Sequence, residues 1–406
     1  MPLRVMRLEV KCLKPWQSSS VRWRVNLNRS LFFIAAALLL WGFGEGMFFN
    51  FVPIYLDNQF LLSKYEIGLI LGAFGFSMAI THIPAGRLAD RFGRRPLLVG
   101  AWLLGLIATL IMGFALTLPF FLVGLFAYGL TAFVSSPLSS YVTAARGEWP
   151  VGTVLSLTSA TFAMGMVMGP ITGGWIGENF GMRMSFLVAA VVFVFSNIFM
   201  FFTENQPIDH HDPDAPPPTL ISNQRFIILM GVFAFAIFSM YLAQPFTPIF
   251  LESVRGLSLS ETGLVFTAGA LGNALMAIAF SRANPRRGFL FSQALVILFV
   301  LFIWKGTSLP VFALGYFLLG GFRAGRPMAQ AQARELIHES QMGISYGIME
   351  TISALIFIIT PPIAGYLFEI DPFIVYPISI VLIVISIVVS YLFSPRKVEE
   401  QVIVTS

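Results

Sequence analysis

Two apolar stretches of the chain contain side chains that could carry a proton or an ion. Glu45 follows Trp41 by four residues, and Arg323, Arg326 and Gln330 recur at i, i+3 and i+7, so each set lies on one helix face. Desolvation favours a neutral carboxyl group and a nearby guanidinium favours the carboxylate, so access and pairing could switch the protonation of Glu45. We interpret Glu45 as a proton carrier and the arginines as partners of Glu45 or of an anionic substrate group. A static buried ion pair is the alternative.

The composition around these residues is that of a membrane protein. The 406 residues are 57% hydrophobic and 11% charged, with a mean hydropathy of +0.81, whereas a soluble domain carries roughly 25% charged residues. The single cysteine, Cys12, excludes an intrachain disulfide, and no cluster of histidine and cysteine has metal-ligand spacing. We therefore expect no metal, no cofactor and no catalytic residues. We also expect no nucleic-acid partner, because no basic, aromatic-interleaved soluble segment is present.

Twelve stretches approach the roughly 20 apolar residues that cross a ~30 Å hydrocarbon core. With the N-terminus inside, 19 of the 25 lysines and arginines lie on the cytoplasmic side and four outside, which is the bias that orients membrane helices. The predicted fold is therefore all-α, with 12 transmembrane helices and both termini cytoplasmic. The predicted spans are residues 31–56, 65–85, 97–117, 119–144, 151–177, 182–203, 225–251, 261–281, 289–307, 310–334, 345–368 and 373–393.

The spans divide into two related halves of six. Phe51–Leu56 matches Phe246–Leu251 at an offset of 195 residues, and the pair Pro170 and Gly174 recurs as Pro361 and Gly365. Transporters built from such repeats bind their solute between the halves, near the bilayer midplane. The predicted organisation is a basic tail, a six-helix bundle, a proline-rich cytoplasmic linker, a second bundle and a second tail, at residues 1–29, 30–203, 204–223, 224–393 and 394–406.

The depth of the charged residues suits a site between the halves. At 1.5 Å per residue, Glu45 and Arg323 lie roughly 22 Å and 17 Å from the inner ends of their helices. An ionisable side chain at that depth costs about 2.5–3.5 kcal/mol and usually faces a cavity or a partner.

The loop between spans 2 and 3 carries a glycine, acid and arginine motif. Its positions are Gly86, Asp90, Arg91, Gly93, Arg94 and Arg95. The motif matches every position of G-x-x-x-D-R-x-G-R-R in the expected loop, and here the sequence resembles the major facilitator superfamily. An acid can accept hydrogen bonds from arginines and from a helix N-terminus. The resemblance implies that Asp90 is part of a latch that clamps the halves in the outward-open state. Positive-inside charge alone would explain Arg95, but not the spacing of Gly86, Asp90 and Gly93.

Span 5 carries small residues on one helix stripe. They are Gly165, Gly169, Pro170, Gly173 and Gly174. Such a stripe lets another backbone approach closely, and a proline within it bends the helix. The pattern resembles the antiporter motif of proton-coupled efflux carriers in the superfamily, although a further glycine position is Ser156 and the usual span-4 arginine is Leu125. Ordinary close packing has the same geometry.

The resemblance implies that spans 1, 4, 7 and 10 line a central cavity. The candidate substrate contacts are then Trp41, Tyr128, Thr131, Ser135, Tyr241, Gln244, Arg323, Arg326 and Gln330. Membrane hydroxyl groups also bond to the backbone of their own helix, which is the alternative for the serine and threonine.

We expect a monomeric secondary transporter of the cell membrane that works by alternating access and is not an enzyme. Its partners would be a small-molecule solute, protons and the lipid bilayer. Proton-coupled efflux of drug-like or metabolite molecules is the favoured function. A symporter that imports a small organic anion and a non-transporting receptor of the same fold stay open as alternatives.

Overall fold

The computed structural model describes residues 29–206, 223–337 and 342–394, with the backbone alone for 82–92, 136 and 343. Every regular element in these ranges is helical. The predicted tails and most of the predicted linker lie outside the described residues, so those boundaries stay predictions.

Eight α-helices lie between residues 29 and 206, the part of the first half that the structure describes. They are α1 Arg29–Phe48, α2 Val52–Phe60, α3 Lys64–Phe92, α4 Arg94–Phe114, α5 Leu118–Leu130, α6 Ser135–Ala144, α7 Val151–Phe180 and α8 Met182–Phe201.

The second half repeats this order. Its helices are α9 Gln224–Tyr241, α10 Thr247–Ile249, α11 Leu259–Phe280, α12 Pro285–Lys305, α13 Leu309–Leu318, α14 Gly320–Arg334, α15 Met342–Ile370 and α16 Val375–Phe393.

Ten helical segments in the described part of the chain are long and apolar enough to cross a membrane. The other two predicted spans correspond to α3 and to the pair α13 and α14. Prediction treated residues 310–334 as one helix, whereas the structure divides it at Leu319 into two shorter helices. Gly320 follows this break and lies so close to the carbonyl of Gly272 in α11 that an added Cβ would be 2.5 Å from its oxygen.

Prolines also break two helices of the first half that the sequence predicted to be continuous. A 3₁₀ turn, Phe49–Phe51, separates α1 from α2, and another, Thr131–Val134, separates α5 from α6. A proline cannot donate to the carbonyl four residues earlier and its ring crowds that group. The carbonyls concerned belong to Phe49 for Pro53 and to Phe133 for Pro137, and both lie in the 3₁₀ turns.

The described parts of the halves meet mainly along two helix pairs, α3 against α15 and α7 against α11. Glycines set how closely these helices approach. A Cβ on Gly68 of α3 would lie 2.5 Å from the carbonyl oxygen of Pro361, and one on Gly174 of α7 would lie 2.3 Å from that of Leu259. Backbone therefore contacts backbone where the halves touch. Within the first half, α1 packs mainly against α7 and α8.

Candidate functional site

Glu45 accepts two hydrogen bonds on the same carboxylate oxygen. The indole Nε1 of Trp41, one helical turn earlier, lies 3.1 Å from Oε2, and the phenolic hydroxyl of Tyr128 on α5 lies 2.8 Å from it. Trp41 and Tyr128 are buried, whereas Glu45 is half-buried. Two neutral donors therefore fix the carboxylate while part of it stays accessible.

An aromatic cluster holds these two donors in place. The ring of Trp41 stacks on Phe193 at 4.4 Å and contacts Trp102 at 4.9 Å. Trp102 donates to Ser196, which in turn donates to the carbonyl of Ala37 in α1. Gly105 makes room for the indole, since a Cβ there would lie 2.1 Å from its ring. The support around Glu45 is thus rigid and comes from α1, α4, α5 and α8.

Arg323, in the other half of the chain, is near enough to Glu45 to interact with it electrostatically. The two groups attract each other, and Tyr241 of α9 adds a weaker interaction with the same guanidinium. Arg323 is exposed, and it makes no hydrogen bond or ion pair with another described residue. A guanidinium is costly against acyl chains, so an exposed arginine at this depth is expected to face water or a partner group and not lipid.

The second arginine of the predicted clamp is already engaged. Arg326 forms an ion pair with Glu350 of α15. Gln330, on the same helix face, is half-buried. The structure therefore distinguishes the two arginines: Arg323 is exposed without a hydrogen bond or ion pair to a described residue, and Arg326 is paired within the second half.

The remaining predicted contacts divide into aromatic and hydroxyl groups. Tyr241 stacks on Phe322 at 6.0 Å and packs against Phe357 at 4.7 Å. Gln244, in the turn that follows α9, donates to the carbonyl of Met240 in the last turn of that helix. Thr131 and Ser135 likewise donate to carbonyls three residues earlier, which is the alternative raised from the sequence.

Sequence reasoning missed the groups that position Glu45 from a distance. Phe193 and Trp102 lie 152 and 61 residues from Trp41 along the chain, with no periodic relation to it. The spacing of Trp41 and Glu45 by one turn was the visible signal.

The loop motif is described in part. Gly86, Asp90 and Arg91 lie outside the residues whose side chains are described. Gly93 joins α3 to α4 with φ +82°, a conformation that other residues rarely adopt. Arg94 donates to the carbonyl of Ser140 at 3.3 Å and Arg95 to that of Phe201 at 3.0 Å. The positive φ therefore explains why a glycine occupies position 93 of the loop motif.

The glycine stripe of α7 contacts helices of both halves. Added Cβ atoms on Gly165, Gly169 and Gly173 would lie 2.1, 2.5 and 1.9 Å from carbonyl oxygens of α1. Gly174 faces α11, and the Pro170 carbonyl lies against Gly263 of the same helix. The helix that carries Glu45 is therefore packed, through α7, against the second half.

No group of three or more metal-ligating side chains comes together among the described residues. With two repeated halves and ten helices among the described residues that are long and apolar enough to cross a membrane, the fold is that of a polytopic membrane protein. A family model, the Major Facilitator Superfamily, matches residues 34–284 and 229–405. The chain belongs to this superfamily, which confirms the resemblance seen in the sequence; it is a multi-pass membrane transporter and not an enzyme.

Several relatives are named as drug-resistance proteins. Multidrug resistance protein MdtG of Proteus mirabilis is 25% identical over 68% of this chain and 68% of its own length. Multidrug resistance protein 2 of Bacillus subtilis is 22% identical over 86% of this chain and 91% of its own length. An uncharacterized MFS-type transporter of Methanocaldococcus jannaschii is 28% identical over 40% of this chain, and the match spans only 42% of that relative.

Solved structures agree on the fold. The nucleoside transporter NupG, in a mutant form, superposes with a TM-score of 0.75 at 13% identity, over 89% of this chain and 98% of its own. At that identity the likeness shows a shared fold alone.

Proposed function

We propose that this chain exports drug-like or metabolite small molecules across the cell membrane in exchange for protons. In this proposal twelve spans cross the membrane as two six-helix bundles, residues 30–203 and 224–393, with both termini and the linker in the cytoplasm. The bias of lysine and arginine supports the orientation, and the names of two relatives support the class of solute.

One observation carries the proposal: a half-accessible carboxylate, Glu45, held by two neutral donors and facing a cation of the other half. The ionised form of Glu45 satisfies Trp41 and Tyr128 and attracts Arg323. Protonation weakens all three interactions, because a neutral acid accepts hydrogen bonds less strongly and carries no charge. The loading of Glu45 thus changes the attraction between the halves.

Exchange follows if solute and proton compete for Glu45. A solute that donates hydrogen bonds or presents a cation would bind the ionised carboxylate and displace its proton. Return of the proton would release the solute on the other side. Two ligands that exclude each other at one site are coupled in opposite directions.

The glycine stripe offers a route from this site to the interface of the halves. Because α7 contacts the backbone of α1 through Gly165, Gly169 and Gly173, it would move with the helix that carries Glu45. Gly174 of the same helix touches α11. In the same scheme, the loop motif of Asp90 would hold the halves together in the outward-open state.

The test is transport by purified protein in proteoliposomes with an acidic interior. Uptake of radiolabelled ethidium, a drug-like cation, should follow the outward proton gradient and stop when nigericin collapses it. Glu45→Gln should abolish gradient-driven uptake, whereas Glu148→Gln, at an exposed position, should not. If Glu45→Gln took up ethidium as fast as the parent under the same outward proton gradient, the proposal would be overturned.

A second candidate is symport of a small organic anion. It is favoured by Arg323, which is exposed and makes no direct ion pair with another described residue. An anion at Arg323 would bind best when Glu45 is protonated, so proton and solute would move together. Uptake of radiolabelled benzenesulfonate driven by an acidic exterior, and lost in Arg323→Gln, would establish this function instead.

A further inference from the structure

Two glutamates reach from one half of the chain to the other at the same end of the bundle. We call this end the sealed end. It is the end at which α7 and α15 finish and α3 and α11 begin. Glu178, in the last turn of α7, accepts a hydrogen bond from the backbone N–H of Ser260 in α11 at 2.9 Å. Glu369, in the last turn of α15, accepts one from the backbone N–H of Tyr65 in α3 at 3.3 Å.

The two contacts are related by the repeat. Glu178 and Glu369 are 191 residues apart, as are Pro170 and Pro361. Tyr65 and Ser260 are 195 residues apart, the offset of the repeat that joins Phe51 to Phe246. Each half therefore gives the other one carboxylate and receives one, which a chance surface contact does not explain.

Each glutamate accepts a hydrogen bond from a backbone N–H of the opposite half that has no partner within that half's helix. Ser63 and Ser258 begin α3 and α11 with capping boxes, in which the serine hydroxyl takes the third N–H of the helix and a glutamate of the same helix returns to the serine N–H. The second N–H, that of Tyr65 or Ser260, has no partner inside the helix. A carboxylate there also meets the positive end of the helix dipole.

These bonds require the halves to be in backbone contact at this end. One turn from each glutamate, a Cβ on Gly174 would lie 2.3 Å from the carbonyl oxygen of Leu259, and one on Gly365 would lie 2.3 Å from that of Lys64. A third contact between the halves, from Asn58 to Glu252 at 3.1 Å, lies nearby. Opening of this end by helix separation would break all three.

We propose that Glu178 and Glu369 are a matched pair of gate residues that stabilise the state closed at the sealed end. Each accepts a backbone hydrogen bond that exists only while the halves touch there. The pair sets the balance between the two access states, and it acts without touching the solute or Glu45. The proposal therefore does not depend on protons as the coupling ion.

The chain provides its own control. Glu66 and Glu261 serve the same two helix N-termini, but from within the same half. Removal of these two carboxylates weakens helix capping to a similar degree and leaves the contacts between the halves in place. A change caused by loss of capping would thus appear in both pairs of variants.

The experiment measures the opening of the sealed end in full-length protein in lipid nanodiscs. Spin labels at Leu116→Cys and Thr307→Cys, in a Cys12→Ser background, report the distance between exposed loops of the two halves by pulsed electron resonance. In Glu178→Ala with Glu369→Ala, the ratio of long to short distances should rise roughly fivefold, and each single variant should give part of this change. Thermal unfolding of each variant checks that it is folded.

Glu66→Ala with Glu261→Ala should leave the ratio close to that of the parent. An unchanged ratio in the Glu178 and Glu369 variant, or an equal rise in both double variants, would overturn the gate assignment. Neither labelled solute nor a proton gradient is present in this measurement. If Glu45→Gln transported normally, the proposed proton coupling would fail, but the gate assignment would still be tested by this measurement.

Discussion

The hydroxyl of Tyr128 donates a hydrogen bond of 2.8 Å to Oε2 of Glu45, 83 residues earlier in the chain. This bond joins α5 to α1 at the carboxylate that attracts Arg323. It makes Tyr128 a positioning residue for Glu45 in the proposed exchange.

Tyr128→Phe should destabilise the protein. The ring and its stacking are kept, but the carboxylate loses one of two donors, and a hydrogen bond to a charged group contributes about 1.5–3 kcal/mol. The measurement is thermal unfolding in nanodiscs at neutral pH. Tyr366→Phe, at an exposed tyrosine of α15, is the matched control and should unfold like the parent. Equal unfolding of both variants would contradict the assigned bond.

Gly173→Ala should be poorly tolerated, because its Cβ would lie 1.9 Å from the Met47 carbonyl oxygen. Overpacking of this kind costs about 1–3 kcal/mol. Gly152→Ala, on the same helix with nothing within 4 Å, should be neutral or slightly stabilising because alanine favours a helix. Folded yield and the unfolding temperature measure both. If Gly173→Ala matched Gly152→Ala, the close packing of α7 on α1 would be wrong.

Arg323 and Arg326 should respond differently to replacement by glutamine. Arg326→Gln leaves Glu350 without its partner, so the free energy of unfolding should fall, by up to about 1 kcal/mol because the pair is partly exposed. Arg323→Gln breaks no hydrogen bond or ion pair with a described residue and should unfold like the parent, yet it should lose transport. Parallel unfolding and transport assays separate the two effects. Similar losses of stability in both variants would argue against the difference drawn between them.

Gly93→Ala should strain the junction of α3 and α4. The glycine has φ +82°, and a side chain in such a conformation costs about 1–3 kcal/mol. Gly100→Ala, inside α4 with open space around it, controls for the substitution itself. Chemical denaturation of both variants is the measurement. A Gly93→Ala protein as stable as Gly100→Ala would show that the loop motif keeps its glycine for another reason.

Hydrophobic length and repeat spacing predicted much of the fold, because lipid imposes long apolar helices. The breaks at Phe49–Phe51 and Thr131–Val134 escaped prediction, although Pro53 and Pro137 were visible, since a proline can bend a helix without ending it. In the candidate site, Trp41 and Glu45 could be paired by helical spacing. Tyr128 could be placed only in the same cavity, because contacts between distant helices leave no periodic trace in one sequence.

The central claim is that Glu45 exchanges its proton for solute, and proton release on binding tests it most directly. Purified protein in weakly buffered nanodiscs is mixed with ethidium while a pH dye records released protons and fluorescence polarisation records binding. The parent should release about one proton per ethidium bound at a pH where Glu45 starts protonated, because competing ligands displace each other at one site. Glu45→Gln lacks the carboxylate that holds the cation, so it should bind ethidium more weakly and, at ethidium concentrations that still give binding, release no proton. Equal proton release by the parent and by Glu45→Gln would contradict the claim.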